Sequence, residues 1–256
     1  MSHKRHRILI KIGSNTLTKE TDQISRGKIE DIGRQIALLK ADYEFIVVSS
    51  GAIAAAKQFV KLEHNGEEIN VKQALAAIGQ PHLMRMFQES FRELGLFAAQ
   101  CLLSYSDFEN PKSKANIKNT IDVLVSNNFI PIINENDTVA ADEIQFGDND
   151  KLAALTASLL HADLLIIATN TDGIYTKASL KGIHPKTISS ISNIDTLAKE
   201  VADEKSSHGT GGMQSKIEAV TIAQKAGIET WVVNGLKDNF IVDALNGNSE
   251  HTKITV

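Results

Sequence analysis

Arg7-Ile8-Leu9-Ile10-Lys11-Ile12-Gly13-Ser14-Asn15 decides the fold. A short apolar run closed by glycine and small polar residues reads as a buried strand of a parallel sheet. The same grammar recurs. Phe45 to Val48 is followed by Ser49-Ser50-Gly51, and Phe129 to Ile133 by Asn134-Glu135-Asn136-Asp137. Leu164 to Ala168 leads into Thr169-Asn170-Thr171-Asp172-Gly173. Ala98 to Leu103 and Thr230 to Val233 complete the expected strands. Between them lie stretches of helical spacing: Arg26 to Lys40, Ile53 to Val60, Val71 to Ile78, His82 to Leu94, Ala115 to Asn127, Leu152 to Leu160 and Ile217 to Ala226. Strands alternating with helices predict an α/β fold, a mainly parallel central sheet with helices on both faces. Ligands of such sheets bind beyond the carboxyl ends of the strands. The polar segments after each strand are therefore the place to look for chemistry.

The chain has 256 residues, 42% apolar and 23% charged, with a formal net charge of −4. One domain over 1–256 suits that length. The acidic balance argues against a nucleic-acid partner, and His3-Lys4-Arg5-His6-Arg7 reads as a solvated arm. Lys11 breaks the first apolar run too early for a signal peptide, and no run is long enough to span a membrane. Cys101 is the single cysteine, which leaves no disulfide framework and no cysteine metal cluster. These features predict a cytoplasmic protein. None of the eight histidines falls into a His-x-x-x-His or His-Glu motif, and no protein metal site is expected.

Gly209-Thr210-Gly211-Gly212-Met213-Gln214-Ser215-Lys216 leads into a helix. Glycines let the backbone approach a ligand, and a helix start favours an anion. Lysine in a first turn opposes the helix dipole, so Lys216 makes sense facing a phosphate. A flexible loop with a surface lysine is the competing reading. The segment is neither a Walker A loop nor a dinucleotide fingerprint. Lys11 is either an edge-strand lysine whose amine reaches water or one that reaches the carboxyl end of the strand. Ser49-Ser50-Gly51-Ala52 fits close helix–sheet packing or close approach to an anion. It lacks the nucleophile-elbow pattern of serine hydrolases. In Asp148-Asn149-Asp150 an EF-hand is excluded, because Ala153 and Leu159 stand where glycine and glutamate are required. Asp150 reads as an N-cap for a helix from Lys151. Capping leaves Asp137 and the amides Asn134, Asn136 and Asn149 unexplained. A pocket for an ammonium together with a carboxylate would need that mixture. Lys177 to Ser192 and Asp203 to Gly212 read as long loops of the kind that form lids.

Taken as an ordered set, these blocks closely resemble the glutamate 5-kinases of the amino-acid kinase family, over nearly the whole chain. Lys11-Ile12-Gly13-Ser14, Ser49-Ser50-Gly51-Ala52-Ile53, Asn134-Glu135-Asn136-Asp137, Gly147-Asp148-Asn149-Asp150 and Thr210-Gly211-Gly212-Met213-x-x-Lys216 carry the likeness. Sister kinases share the glycine logic but differ in the acidic blocks. The resemblance implies an α/β/α sandwich that phosphorylates the side-chain carboxylate of L-glutamate with ATP, opening proline biosynthesis. It implies that Lys11 and Lys216 contact the transferring phosphoryl group and that Asp150 holds both. It implies that Ser50, Asn134, Asp137 and Asn149 bind glutamate. Lys11, Thr169, Asn170, Thr210, Gly211, Gly212, Met213 and Lys216 would line the ATP site. Mg2+ on the nucleotide phosphates, proline as feedback inhibitor and a homodimer or homotetramer are further implications. Asn170 stands where many relatives carry aspartate, and Lys177-Ala178 where they often carry Asp-Pro. The chain stops at Val256, so no C-terminal PUA domain is expected. Rival readings are an acetylglutamate or nucleotide kinase, and a non-catalytic amino-acid sensor on the same fold.

Overall fold

A computed structural model describes residues 5–63, 68–140, 149–176, 179, 185–192, 194 and 213–256. Its strands are β1 (His6–Ile12), β2 (Tyr43–Ser49), β3 (Phe97–Leu103), β4 (Phe129–Glu135), β5 (Leu164–Thr169), β6 (Ser190–Ile191), β7 (Glu229–Asn234) and β8 (Thr252–Ile254). They form one sheet in the order β3-β4-β2-β1-β5-β7-β8-β6, parallel except where β7 meets β8. The α-helices among the described residues are α1 (Ser14–Thr18), α2 (Arg26–Leu39), α3 (Ala52–Lys57), α4 (Ile69–Glu93), α5 (Pro111–Ser126), α6 (Asp150–Leu160), α7 (Met213–Lys225) and α8 (Phe240–Leu245).

Side chains alternate across a strand, and the two faces of the sheet bury separate cores. Ile8, Ile10 and Ile12 of β1 pack with Ile29, Ile32 and Ile36 of α2, Phe87 and Phe91 of α4, and Ile241 of α8. Leu9 lies on the other face, with Ile117 and Ile121 of α5, Leu152 of α6 and Val220 of α7. Lys11 shares the parity of Leu9, which turns it toward the layer that holds α6 and α7. Caps fix where helices start: Ser25 accepts the Lys28 N–H ahead of α2, and Asn110 accepts from Lys112 and Ser113 ahead of α5.

The expected parallel sheet with helices on both faces is present. The two helices expected at Val71 to Ile78 and His82 to Leu94 are instead one, α4, with Pro81 inside it. Proline removes one helical hydrogen bond. Here Leu75, Leu83, Phe87 and Phe91, buried on both sides of it, keep the helix continuous. The part of Lys177 to Ser192 that is described, 185–192, is not an open loop. Thr187 bridges Tyr175, Ile188 N–H donates to Ile174 O at 2.8 Å, and β6 pairs with β8. Asp203 to Gly212 lies outside the described residues.

β1 is flanked by β2 on one side and β5 on the other. The chain leaves β1 toward β2 and later returns to add β5 on the opposite side. That is the switch point at which α/β sheets open a crevice beyond their strand ends.

Candidate active site

β1 brings Lys11 to this crevice. It is an interior strand, so the edge-strand reading of Lys11 fails. The side chain is 4% exposed, and its Nζ lies 2.6 Å from Asp150 Oδ1. Lys216, in the first turn of α7, places its Nζ 3.0 Å from Asp150 Oδ2. α6 and α7 are further tied by Lys151 to Glu218 at 2.8 Å. Asp150 is the first residue of α6 and makes no N-cap bond; Asn149 holds the cap position. The capping reading of Asp150 is therefore corrected: its carboxylate is turned to two ammonium groups instead. Burial alone would raise the Asp150 pKa, but Lys11 and Lys216 outweigh it and hold the carboxyl well below the usual carboxylate range. Among the described residues, two ammonium groups thus face this one carboxylate at the strand ends. Gly13 is the first residue after β1, and a Cβ there would come within 3.3 Å of Lys11 Nζ. The glycine leaves the amine room.

A second group sits beyond β2 and β4. Ser50 follows β2, and its N–H donates to Ile12 O at 3.0 Å. Gly51 then takes φ +105°, a left-handed conformation that glycine adopts without strain, and α3 begins. Asn149 Nδ2 lies 2.8 Å from Ser49 O, 2.7 Å from Asn134 Oδ1 and 3.2 Å from Ser50 Oγ. Asn134 Nδ2 in turn donates to Gln80 Oε1 on α4 at 2.7 Å, and Gln80 Nε2 to Gln100 Oε1 on β3 at 3.2 Å. Asp137, just past β4, is 8% exposed. Burial pushes its pKa up to about 6, which marks a carboxylate that would gain from a cationic ligand.

A third group lies beyond β5 and β7. Thr169 O accepts from the Gly235 N–H at 2.7 Å, and Asn170 Nδ2 donates to Glu20 Oε1 at 3.0 Å. Asp172 receives Asn234 Nδ2 at 3.0 Å and Lys237 Nζ at 2.5 Å. Of the other expected nucleotide residues, Met213 opens α7, while Thr210, Gly211 and Gly212 lie outside the described residues.

This geometry stands beside a family match. The family model described as "Amino acid kinase family" matches residues 6–234. The chain belongs to the amino acid kinase family. Curated relatives within reach include proteins named glutamate 5-kinase. One from Alkaliphilus metalliredigens is 39% identical over 252 residues, covering 98% of this chain and 96% of its own. One from Thermoanaerobacter sp. is 41% identical over 243 residues, covering 94% of this chain and 65% of its own. Among solved structures, carbamate kinase from Giardia lamblia bound to AMP-PNP superposes with a TM-score of 0.69 at 20% identity, covering 100% of this chain and 99% of that one. UMP kinase from Ureaplasma parvum gives 0.68 at 18%, covering 99% and 100%. At that distance the structures speak for the fold.

The structure thus brings Lys11, Asp150 and Lys216 into one cluster and Ser50, Asn134 and Asn149 into one hydrogen-bonded row. The sequence did not single out Gln80, Gln100 or Lys237. Gln80 carried a usable signal, since a glutamine between Gly79 and Pro81 on an otherwise apolar helix face needs a polar partner.

Proposed function

We propose that this protein transfers the γ-phosphoryl group of ATP to the side-chain carboxylate of L-glutamate, giving L-glutamyl 5-phosphate for proline biosynthesis. The observation that carries the reading is the convergence of Lys11 and Lys216, from distant parts of the chain, on the buried Asp150 carboxylate. The relatives named glutamate 5-kinase supply the acceptor. An amino-acid sensor on the same fold would need none of those three residues.

The acceptor oxygen is already ionised at neutral pH, so no general base is required. The obstacle is repulsion between an anionic nucleophile and an anionic phosphoryl group. Two unit charges at ~4 Å repel by roughly 4 kcal/mol at an effective dielectric of about 20. Lys11 and Lys216 offset that repulsion, and Asp150 fixes where their ammonium groups stand. Thr169 and Asn170, with 210–216, hold the nucleotide. Ser50, Asn134, Asp137 and Asn149 form the glutamate pocket, with the Asp137 carboxylate opposite the substrate ammonium. Among the described residues no three His, Cys, Asp or Glu side chains are grouped to hold a metal, and both Asp150 oxygens are engaged by ammonium groups. That donor set fits Mg2+ carried on the nucleotide phosphates, where it neutralises charge on the transferring group. Feedback inhibition by proline, a homodimer or homotetramer, and a cytoplasmic setting belong to the same reading. Among the described residues no helix is long and apolar enough to cross a membrane.

The test is incubation with ATP, Mg2+, L-glutamate and hydroxylamine. Glutamyl hydroxamate is the expected product. Its absence, with another acceptor phosphorylated in its place, would replace glutamate by that acceptor.

A further inference from the structure

Two backbone groups dictate how the row of carboxamides beyond β4 is oriented. The Glu135 N–H donates to Asn134 Oδ1 at 2.9 Å, which makes that oxygen the acceptor end of Asn134. The amino end therefore points to α4, where it meets Gln80 Oε1 at 2.7 Å. The Ser49 carbonyl can only accept, so the nitrogen of Asn149 faces it at 2.8 Å, with Asn134 Oδ1 at 2.7 Å. Both Asn149 Nδ2 protons are committed to oxygens that cannot donate. Asn149 Oδ1 remains, fully buried and without a partner among the described residues. A buried acceptor left unpaired is costly, and a ligand N–H removes that cost.

We propose that Gln80 is a positioning residue for the amino-acid substrate. Its Oε1 locks the Asn134 amide, which locks Asn149 with an acceptor, not a donor, presented to the substrate α-ammonium. The inference rests on the glutamate reading above. Gln80 is itself held, because its Nε2 donates to Gln100 Oε1 at 3.2 Å. Without the Gln80 oxygen, the Asn134 amino group is a buried donor with no acceptor, and its side chain turns away to find one. Asn149 then loses one of its two short anchors and can rotate to aim N–H groups at the incoming cation. Gln80 thus acts on substrate affinity through two intervening amides.

The test is steady-state kinetics of Gln80→Met and Gln80→Glu in the full chain, read by hydroxamate formation. Methionine keeps length and apolar bulk but offers only a weak thioether acceptor; glutamate keeps the acceptor, and the Gln100 amide can turn to donate to it. Gln80→Met is expected to raise the glutamate KM about tenfold with the ATP KM unchanged, the size of one buried hydrogen bond left unmade. Gln80→Glu is expected to stay within about twofold of the parent, since the bond is retained. An unchanged glutamate KM in Gln80→Met, an equal rise in both KM values, or a Gln80→Glu variant as impaired as Gln80→Met would each overturn the inference. If Gln80→Met does not fold, Gln80→Asn, one methylene short of Asn134, supplies the same comparison. A parent enzyme that makes no glutamyl hydroxamate would overturn the glutamate reading and this inference with it. An active parent with indifferent Gln80 variants would overturn this inference alone.

Discussion

Replacing Lys11 with alanine removes one of the two ammonium groups that share the Asp150 carboxylate. Asp150 keeps Lys216 Nζ at 3.0 Å. One of the two ammonium charges is therefore lost where the proposed reaction needs phosphoryl charge to be offset. One unit charge at ~4 Å is worth about 4 kcal/mol at an effective dielectric of about 20, which corresponds to about a thousandfold in kcat. Stability should suffer less than in most broken buried pairs, where an orphaned charge costs about 3–5 kcal/mol, because Asp150 keeps Lys216. The assay is hydroxamate formation at saturating ATP and glutamate, beside a thermal melt to show that the variant is folded. Lys11→Arg serves as a control: it restores the charge but must fit a larger group where a Cβ on Gly13 would already stand 3.3 Å from Nζ. It should recover only part of the activity. A folded Lys11→Ala variant with kcat within tenfold of the parent would refute the electrostatic argument.

Lys216→Ala should lower kcat by a similar factor, and a rise confined to KM would move Lys216 from the reacting group to nucleotide binding. Burial raises the Asp137 pKa from 3.8 to about 6, so the glutamate KM should climb as pH falls through 6 and the carboxylate that attracts the ammonium is protonated; a flat KM between pH 5 and 8 would exclude Asp137 from the pocket. The same shift carries a stability sign. A carboxyl whose folded pKa is raised costs nothing below its unfolded value and up to about 3 kcal/mol once pH passes the folded one. Asp137→Asn should therefore raise Tm near pH 8 and not near pH 4 while weakening glutamate binding, and equal Tm changes at both would contradict the assignment. Gly79→Ala should destabilise by at least ~2 kcal/mol in urea unfolding, because a Cβ there would sit 1.8 Å from Ala52 O on α3; an unchanged midpoint would show that α3 and α4 can separate freely.

The interior strands were legible because they are buried on both faces, and Ile8 to Ile12, Phe45 to Val48 and Leu164 to Ala168 carry that in their composition. β6, β8 and α8 were not. Two, three and six residues are too few to display a period, and these pieces exist because neighbours pair with them or cover them. The two separate helices expected at Val71 to Ile78 and His82 to Leu94 are one, because packing on both sides of Pro81 keeps α4 continuous. Lys11, Asp150 and Lys216 stood out individually as a costly strand lysine, a helix-start aspartate and an unfavourable first-turn lysine. Their convergence depends on side-chain parity in β1 and on the packing of α6 against α7, neither of which any one segment encodes. The capping role for Asp150 failed for that reason: a cap is a local explanation, and the stronger partners came from elsewhere. Gln80 and Gln100 stayed hidden because an amide row has no signature of spacing when its members come from a helix, two strands and the cap of a second helix.

β8 follows every other strand in the sequence, yet it lies between β7 and β6. Thr252 Oγ1 also receives the Ile174 N–H at 2.8 Å, just past the segment that opens with Thr169 and Asn170. The far side of the sheet is thus zipped last, and β6 has no strand to join until Thr252–Ile254 is in place. During synthesis the half bearing Lys11 and Ser50 can assemble early, while the half bearing Thr169 and Asn170 waits for its final stitch. Catalytic competence should accordingly lag behind the bulk of secondary structure when the chain is refolded from denaturant.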